Sequence, residues 1–193
     1  MSEKRNRCGW VSDDPLYQHY HDTVWGRPEL DSQQLFAKLC LDGQQAGLSW
    51  ITILKKQAAF EDAFYHFDPV KIAKMTEADV ERLMQNAGII RSRAKINAII
   101  TNARAYLKLI ETQSFSDFIW QFTGHKTIVN EWRDYRDAPT STAESKAMAK
   151  ALKKAGFKFV GETICYAFMQ AVGMVNDHTL DCHCYSNVCE LAK

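Results

Sequence analysis

The stretch that decides the fold reads Asn86-Ala87-Gly88-Ile89-Ile90-Arg91. It lies between two segments whose apolar residues have helical spacing. Upstream, Thr76-Glu77-Ala78-Asp79 resembles a capping box with Asp in place of Glu or Gln, and it predicts the start of a helix that Gly88 stops. Ser92 predicts the start of the next helix. A turn this short between two helices predicts an αα-hairpin centred on Gly88.

The hairpin turn has the features of a contact with a DNA phosphate. Backbone amides at the start of a helix lack partners and carry positive partial charge. Arg91, Arg93 and Lys95 would add positive charge at the same place. Such a contact positions a duplex without reading its sequence. The alternative interpretation, which the spacing alone favours, is a common helix turn with solvated charges.

The remainder of the chain also predicts helices. Asp31-Ser32 can cap one helix, and an apolar segment over about Gly161 to Met174 predicts a last one. Further helix starts are predicted at Ser116-Asp117 and at a capping box, Ser141-Thr142-Ala143-Glu144. Strands are not predicted, because alternating β-branched runs bounded by turns are missing from the sequence. The stretch from Gln121 to Pro139 is expected to be a loop, and the predicted fold class is all-α.

The length of 193 residues fits a single domain over residues 1–193. Within it we expect a middle helical lobe over about residues 31–123, with the hairpin near residues 86–91. A second lobe would join both ends of the chain, residues 1–30 and 124–193.

Charge and hydropathy exclude two classes of protein. Lys and Arg together number 24, and Asp and Glu together number 23, so the net charge is +1. This balance excludes a generally polycationic protein that coats DNA, although it is compatible with a local basic patch. No run approaches the roughly 18 apolar residues that a membrane helix needs. The opening segment from Met1 to Cys8 lacks the apolar core of a secretory signal. We therefore expect a soluble, cytoplasmic protein with no membrane partner.

Aromatic side chains are concentrated in the first 50 residues, at Trp10, Tyr17, Tyr20, Trp25 and Trp50. Aromatic faces can stack a flat nucleobase. Asp42 lies in the segment between them, and its carboxylate could accept hydrogen bonds from a cationic base and balance the charge of that base. The alternative interpretation is a core of large aromatics beside a capping loop.

Cysteine and histidine cluster near both ends of the chain. In a reducing cytosol such clusters suggest a metal site rather than disulfides. His178 and Cys182 are four residues apart and would share one face of a helix. Together with Cys8 and His21 they would make a closed, structural zinc site. The other candidate ligands are His19, His183, Cys184 and Cys189. The opposing interpretation is a set of reduced cysteines and surface histidines that bind no metal.

Taken together, these features closely resemble the 3-methyladenine DNA glycosylase I family over nearly the whole chain. The segments that carry the resemblance are Cys8-Gly-Trp-Val11, Asp14-Pro-Leu-Tyr-Gln-His-Tyr-His-Asp22, Trp25-Gly26, Gly43-Gln-Gln-Ala-Gly-Leu-Ser-Trp50, Asn86-Ala-Gly-Ile-Ile-Arg91, Gly156-Phe-Lys-Phe-Val-Gly161 and Val175-Asn-Asp-His178. Several long motifs in the right order are far more specific than any one of them. The resemblance implies a helix-hairpin-helix DNA glycosylase fold and an enzyme of base-excision repair that releases 3-methyladenine from alkylated DNA.

The resemblance also implies roles for individual residues. The implied zinc ligands are Cys8, His21, His178 and Cys182. The implied base pocket consists of Tyr20, Trp25 and Trp50 with Trp10 close by, and its catalytic groups are Asp42 and Tyr20. The implied contacts with DNA are the loop of Gln45, Ala46 and Gly47 and the hairpin residues Gly88, Ile89, Arg91, Arg93 and Lys95. The implied partner is double-stranded DNA with alkylated bases, and the implied cofactor is zinc. The resemblance implies no nucleotide cofactor, and it implies a monomer.

Two positions depart from the family pattern. Ile90 occupies the place of a second hairpin glycine, and Asp42 stands where the family usually has Glu. Asp retains the charge and both acceptor oxygens of Glu, but its side chain is shorter. Because of this difference two alternatives stay open: a glycosylase for another modified base, and a zinc-stabilised protein that binds damaged DNA without chemistry. Asp117 lies where many relatives place a catalytic Asp, although this family is not expected to use one. No lysine is found at the nucleophile position after the hairpin, so hydrolysis without strand cleavage is expected.

Overall fold

The computed structural model describes residues 5–193, so the start of the opening segment expected to lack a secretory signal lies outside the described residues. Within that range the chain forms ten α-helices. Their bounds are α1 (Pro15–Thr23), α2 (Ser32–Gln44), α3 (Trp50–Ala63), α4 (Pro69–Ala73), α5 (Glu77–Leu83), α6 (Arg93–Leu109), α7 (Phe115–Trp120), α8 (Ala143–Lys154), α9 (Glu162–Ala171) and α10 (Tyr185–Leu191). The all-α prediction is therefore confirmed. None of these helices is long and apolar enough to cross a membrane.

The segment expected to be a loop contains a short strand. β1 (Ile128–Val129) pairs in parallel with β2 (Val175–Asn176), and Ile128 faces Val175 in the register. A strand of two residues is too short to show an alternating pattern, which explains why the sequence did not predict it. The pair fastens the segment before α8 to the segment after α9.

The two helices of the hairpin start where the sequence predicts. The Thr76–Asp79 capping box is present at the start of α5, and the Ser92 side chain accepts a hydrogen bond from the Lys95 amide at the start of α6. The predicted end of α5 is wrong, because the helix ends at Leu83, five residues before Gly88. The cause is local: the Asn86 side-chain oxygen accepts the Gly88 amide at 2.9 Å, a turn that competes with the helix.

Gly88 is required by packing rather than by an unusual backbone angle. A Cβ at this position would lie 2.9 Å from the Ala59 Cβ of α3 and 3.0 Å from the Asn86 side-chain oxygen. Real Cβ atoms do not approach this closely, so any side chain would push the hairpin turn away from α3. The glycine thus fixes the position of the turn against the helix that begins at Trp50.

Two further predicted helix starts are displaced by a few residues. Ser114, not Ser116-Asp117, caps α7, because its hydroxyl accepts the Asp117 amide at 3.0 Å. The capping box of α8 pairs Thr142 with Ser145 instead of using Glu144, because the Ser145 hydroxyl accepts the Thr142 amide at 2.8 Å. In both places a neighbouring hydroxyl reaches the free amide.

Helix α2 lies at the centre of the molecule, in contact with α3, α6, α7 and α9. Its Leu35, Phe36 and Leu39 side chains are buried in one continuous hydrophobic cluster. The Phe36 and Tyr106 rings are 5.0 Å apart, a packing contact that joins α2 to α6. This anchoring fixes the last turn of α2, where Asp42 lies, relative to the rest of the fold.

Candidate active site and metal-binding cluster

A cavity of about 310 Å³ lies beside the last turn of α2. The predicted base-pocket residues all line it, and so does the predicted DNA-contact residue Gln45. Its remaining walls come from the segment before α8 and from α9. The lining residues are Trp10, Tyr17, Tyr20, Trp25, Lys38, Asp42, Gln45, Trp50, Tyr135, Ala138, Pro139, Thr140, Thr163, Tyr166, Ala167, Gln170, Ala171 and Asp177.

The aromatic residues form two walls of this cavity. On one side the Trp10 and Trp25 rings are 4.9 Å apart and nearly perpendicular, and on the other side the Tyr20 and Trp50 rings are 5.5 Å apart. Tyr20, Trp25 and Trp50 are buried in the core, as the packing interpretation expects, and they also face the cavity. Burial, followed by the nearby Asp42 charge, raises the pKa of Tyr20, so the phenol keeps its proton and can donate a hydrogen bond.

Asp42 is a buried carboxylate with one oxygen engaged and one free. Its side chain is 2% exposed, and Oδ1 accepts a hydrogen bond from Lys38 Nζ at 2.7 Å. Within residues 5–193, Oδ2 has no hydrogen-bond partner, and the buried Trp50 Nε1 has none either. Burial raises the pKa of Asp42, and the Lys38 ammonium opposes that shift. Both residues line the cavity, so an unpartnered acceptor and an unpartnered donor lie in its wall.

Lys38 lines the cavity although it is not one of the predicted site residues. Its ammonium lies 3.2 Å from the centre of the Trp50 ring and 5.6 Å from that of Tyr20. Burial lowers the pKa of Lys38, and the Asp42 carboxylate opposes that shift. The available signal was the spacing, because residues four apart on the predicted helix share a face, and Lys38 therefore lies beside Asp42.

The far wall of the cavity contains a hydrogen-bond network around Asp177. Tyr166 and Gln170 donate to one carboxylate oxygen, while Asn130 and Trp132 donate to the other at 2.7 and 2.8 Å. This network ties α9 to the segment around β1. No sequence pattern marks this network, since Tyr166 and Gln170 belong to a helix whose pattern is typical of an apolar core segment.

The predicted DNA-contact loop is held in place by Lys95. Its ammonium donates to the backbone carbonyls of Gln44 at 2.8 Å and Ala46 at 2.6 Å. Gly47, at the exposed tip of the loop, has a φ of +79°, a conformation that favours glycine. Lys95 is thus used inside the protein, and it fixes the loop next to the cavity.

The other hairpin residues differ in what they can offer to DNA. Arg93 is paired with Glu77 and Glu81, and the Ile89 side chain is buried. Arg91 is exposed and has no ion pair or hydrogen bond through its side chain within the described part of the chain. Of the three predicted cations, Arg91 alone is not already engaged by residues 5–193.

The four predicted metal ligands are brought together by the fold. One ligand atom from each of Cys8, His21, His178 and Cys182 lies within 4.8 Å of the others, and all four residues are buried. Cys182 Sγ is 3.5 Å from His21 Nε2 and 3.4 Å from His178 Nδ1, and Cys8 Sγ is 3.5 Å from His178 Nδ1. The structure thus contains a Cys/His cluster that can hold one metal ion.

The prediction that His178 and Cys182 share one face of a helix is wrong. They lie in the turn between β2 and α10. The Asn176 side-chain oxygen accepts the His178 amide at 3.2 Å, and the Thr179 carbonyl accepts the Cys182 amide at 2.9 Å. These local bonds replace the helical pattern and still direct both side chains to the same point.

Groups around the cluster orient its two histidines. His21 Nδ1 lies 2.8 Å from Asp22 Oδ1, and His178 Nε2 lies 3.1 Å from the Trp25 carbonyl oxygen. Burial alone would raise the pKa of Asp22, but hydrogen bonds from Arg7, His21 and His183 bring it below its ordinary value. A carboxylate and a carbonyl in these places fix which imidazole nitrogen faces the centre of the cluster.

The alternative ligands lie in different places. His183 and Cys184 form a second group with His21 and Asp22, in which His183 is exposed. His19 is exposed on α1, where its ring contacts the Thr23 hydroxyl at 3.4 Å. The most enclosed set of donors is therefore the predicted one.

Comparison with known proteins agrees with this geometry. Residues 10–185 match the family model described as methyladenine glycosylase. The chain is 60% identical over 180 residues to DNA-3-methyladenine glycosylase 1 of Escherichia coli K12, an alignment that spans 93% of this chain and 96% of that protein. A crystal structure of 3-methyladenine DNA glycosylase I is 57% identical, covers 93% of this chain and 100% of its own, and superposes with a TM-score of 0.92. A variant of such an enzyme in complex with 3-methyladenine is 41% identical, covers 93% of this chain and 97% of its own, and has a TM-score of 0.90. The chain therefore belongs to the methyladenine glycosylase family.

Proposed function

We propose that this chain is a base-excision repair glycosylase that hydrolyses the N-glycosidic bond of 3-methyladenine in alkylated DNA. The observation that carries the proposal is the buried Asp42 carboxylate, which keeps one free oxygen in a cavity walled by Trp50 and Tyr20. The similar enzymes are named for the same reaction, and one similar structure is a complex with 3-methyladenine.

The proposed reaction uses few protein groups. The damaged nucleotide leaves the base stack and enters the cavity, a step that costs less for a damaged base. 3-Methyladenine in DNA is a cation and already a good leaving group, so little acid catalysis is required. Asp42 would balance its charge, Trp50 would stack on its face, and the neutral Tyr20 phenol would donate to its edge. Water then attacks the sugar carbon as an oxocarbenium-like state develops, and no general base is assigned.

The DNA interface is proposed on the same face as the opening of the cavity. The loop of Gln45, Ala46 and Gly47 would enter the duplex where the base leaves it. The turn from Gly88 to Arg91 would hold a phosphate as the anchor of a helix-hairpin-helix. This assignment rests on the position of the loop beside the cavity and on the free charge of Arg91.

Arg91→Ala is expected to weaken binding to every duplex by a similar factor, because a phosphate contact carries no sequence information. The slope of log Kd against log salt should fall by about 1, the contribution of one phosphate contact. Fluorescence anisotropy with two unrelated duplexes at several salt concentrations measures both quantities. Arg82→Ala, which removes an exposed arginine already paired with Asp79, is the matched control. An unchanged salt slope for Arg91→Ala would remove this residue from the interface.

Zinc is the proposed resident of the Cys/His cluster. Zinc bonds of about 2.3 Å to sulfur and about 2.0 Å to nitrogen, at tetrahedral angles, place sulfur and nitrogen about 3.5 Å apart. The three S–N distances of 3.4–3.5 Å fit this geometry. With four protein ligands, zinc would supply structural cross-linking and no chemistry on the base. His21 and His178 would then hold the neighbouring Tyr20 and Trp25 at the cavity.

We propose a monomer with a lobe of residues 31–123 and a lobe made of residues 1–30 and 124–193, located in the cytoplasm. The Asp42–Lys38 ion pair favours one second candidate, a glycosylase that accepts another modified base. A binding protein without chemistry is the third candidate, and it predicts tight binding of damaged DNA with no base release.

Incubation with methylated duplex DNA, followed by chromatography of the released bases, tests the proposal. We expect 3-methyladenine alone in the soluble fraction and an intact DNA strand with an abasic site. The assay is run in parallel on DNA with 7-methylguanine and with hypoxanthine, whose preferential release would favour the second candidate. Borohydride is included to trap a Schiff base between protein and DNA. Trapping, or strand cleavage, would contradict the hydrolytic mechanism, and no release of any base would favour the binding protein.

A further inference from the structure

We propose that Lys38 competes with the base for the cavity: its ammonium occupies the place of a cationic base in the free protein, and a base enters only by displacing it. This inference rests on the proposed function, because it concerns the same cavity. It starts from the contacts of the ammonium with Trp50 and Asp42, which are those expected of a bound cationic base.

The position of Lys38 excludes simultaneous occupation. Its ammonium is 3.2 Å from the centre of the Trp50 ring. A base stacked on the face of the ring that the ammonium covers would place its own atoms about 3.5 Å above that face, at the ordinary contact distance of carbon atoms. The ammonium and the stacked base would therefore overlap. Lys38 must move before Trp50 can act as a stacking surface.

The charge of Lys38 is already balanced in the cavity. Its ammonium is 2.7 Å from Asp42 Oδ1, and the ring of Trp50 provides a favourable cation–π contact. A cationic base must replace both interactions, whereas a neutral base has no charge to offer Asp42 in exchange. The affinity of the site for any stacked base is thus lowered by the contacts that the resident ammonium loses, and a cationic base recovers part of that loss through Asp42.

The structure also contains a place for the displaced side chain. A second cavity, of about 570 Å³, shares Tyr20, Lys38 and Trp50 with the first, so Lys38 lies in the wall between them. Glu29 and Glu61 line this second cavity. A swing of the flexible lysine side chain would bring its ammonium toward these carboxylates. Two arrangements of one side chain would then alternate: inward in the free protein and outward in the complex.

The test measures binding of two small probes and needs no catalysis. 3,9-Dimethyladeninium is a permanent cation with a methyl group in place of the sugar. 3,9-Dimethyl-3-deazaadenine has the same outline but is neutral at pH 8. Titration of each into the wild-type protein and Lys38→Met, followed by tryptophan fluorescence, gives the two dissociation constants. We expect Lys38→Met to bind both probes about tenfold more tightly, because neither base then has to displace the ammonium from Asp42 and from the Trp50 ring.

Further variants separate charge from space. Lys38→Arg keeps the positive charge and should bind the cation as weakly as the wild type. Lys71→Met removes an exposed lysine from α4 and should change neither constant. If Lys38→Met does not fold, Lys38→Gln carries the same comparison, because it keeps a donor for Asp42 without the charge.

Three results would overturn the proposal. They are a gain for the cation alone, which would show that the ammonium repels the cation without having to leave the stacking face; an unchanged affinity for the cation; and no binding of either probe to any variant. Failure of the proposed function is recognised separately, as the absence of base release from methylated DNA. Where release is observed, kcat/KM for 3-methyladenine should rise in Lys38→Met together with the affinity for the cationic probe.

Discussion

Asp42→Asn is expected to lower kcat/KM for the release of 3-methyladenine by about 10²-fold or more. The substitution keeps the shape of the side chain but removes the charge that would balance a cationic base, and it leaves the Lys38 ammonium in the cavity without its partner. Loss of one member of a buried, hydrogen-bonded charge pair costs about 2–5 kcal/mol, which corresponds to a factor of roughly 30 to several thousand. Single-turnover release of base from methylated DNA measures the effect.

Two substitutions make this result specific. Asp42→Glu restores the longer carboxylate of the family pattern, and release should be kept or raised. Asp117→Asn removes an exposed carboxylate in the first turn of α7, outside the cavity, and should leave release unchanged. Equal activity of Asp42→Asn and wild type would show that the charge of Asp42 is not used. A large loss in Asp117→Asn would instead point to the catalytic Asp of other relatives.

The pH profile of release provides a check on the same residue. Burial raises the pKa of Asp42, so its carboxylate gains a proton at a higher pH than an ordinary aspartate, whose pKa is about 3.9. Because the ionised form is needed, release should fall as the pH falls through this raised pKa. The acid limb should be absent from the residual activity of Asp42→Asn, since an amide does not titrate there.

The sequence predicted those parts of the fold that depend on local signals. The capping residues Asp31, Thr76 and Ser92 mark the starts of α2, α5 and α6, because a side-chain acceptor for a free amide is a local requirement. The end of α5 was missed because a single turn around Asn86 competes with helix continuation. The β1–β2 pair was missed because it depends on residues almost 50 positions apart.

The site was predictable to a different extent. Trp50, Asp42 and the Cys/His set could be selected because their residue types carry a recognisable chemistry. Lys38 could not, since a lysine on a helix next to an aspartate usually forms a solvated ion pair. Its burial over the Trp50 ring follows from how α2 and α3 pack, which no local pattern specifies. The engagement of Lys95 with the loop carbonyls likewise appears only once the hairpin is placed beside that loop.

Cys182→Ala is expected to remove the bound metal and to lower the free energy of unfolding by about 3 kcal/mol or more, since metal binding to a structural site is folding free energy. Cys8 and His21 come from one end of the chain, while His178 and Cys182 come from the other. A metal that joins them therefore restrains both ends at once. For a chain of this size the loss corresponds to a fall in Tm of about 6–12 °C.

Calorimetry together with metal analysis by mass spectrometry measures the change and its cause. The wild type should contain about one zinc per chain, and a strong chelator should lower its Tm toward that of Cys182→Ala while leaving the variant unaffected. Cys189→Ala removes a half-buried thiol of α10 that lies outside the cluster, and it should keep both the zinc and most of the stability. Loss of zinc without loss of Tm would mean that the packing of Trp25 and Tyr20 holds the two ends together by itself.

Loss of the metal should also affect the cavity, because His21 directly follows Tyr20 and His178 contacts the Trp25 carbonyl. We expect the aromatic wall of the cavity to loosen, so that base release is reduced well below the temperature at which the variant unfolds.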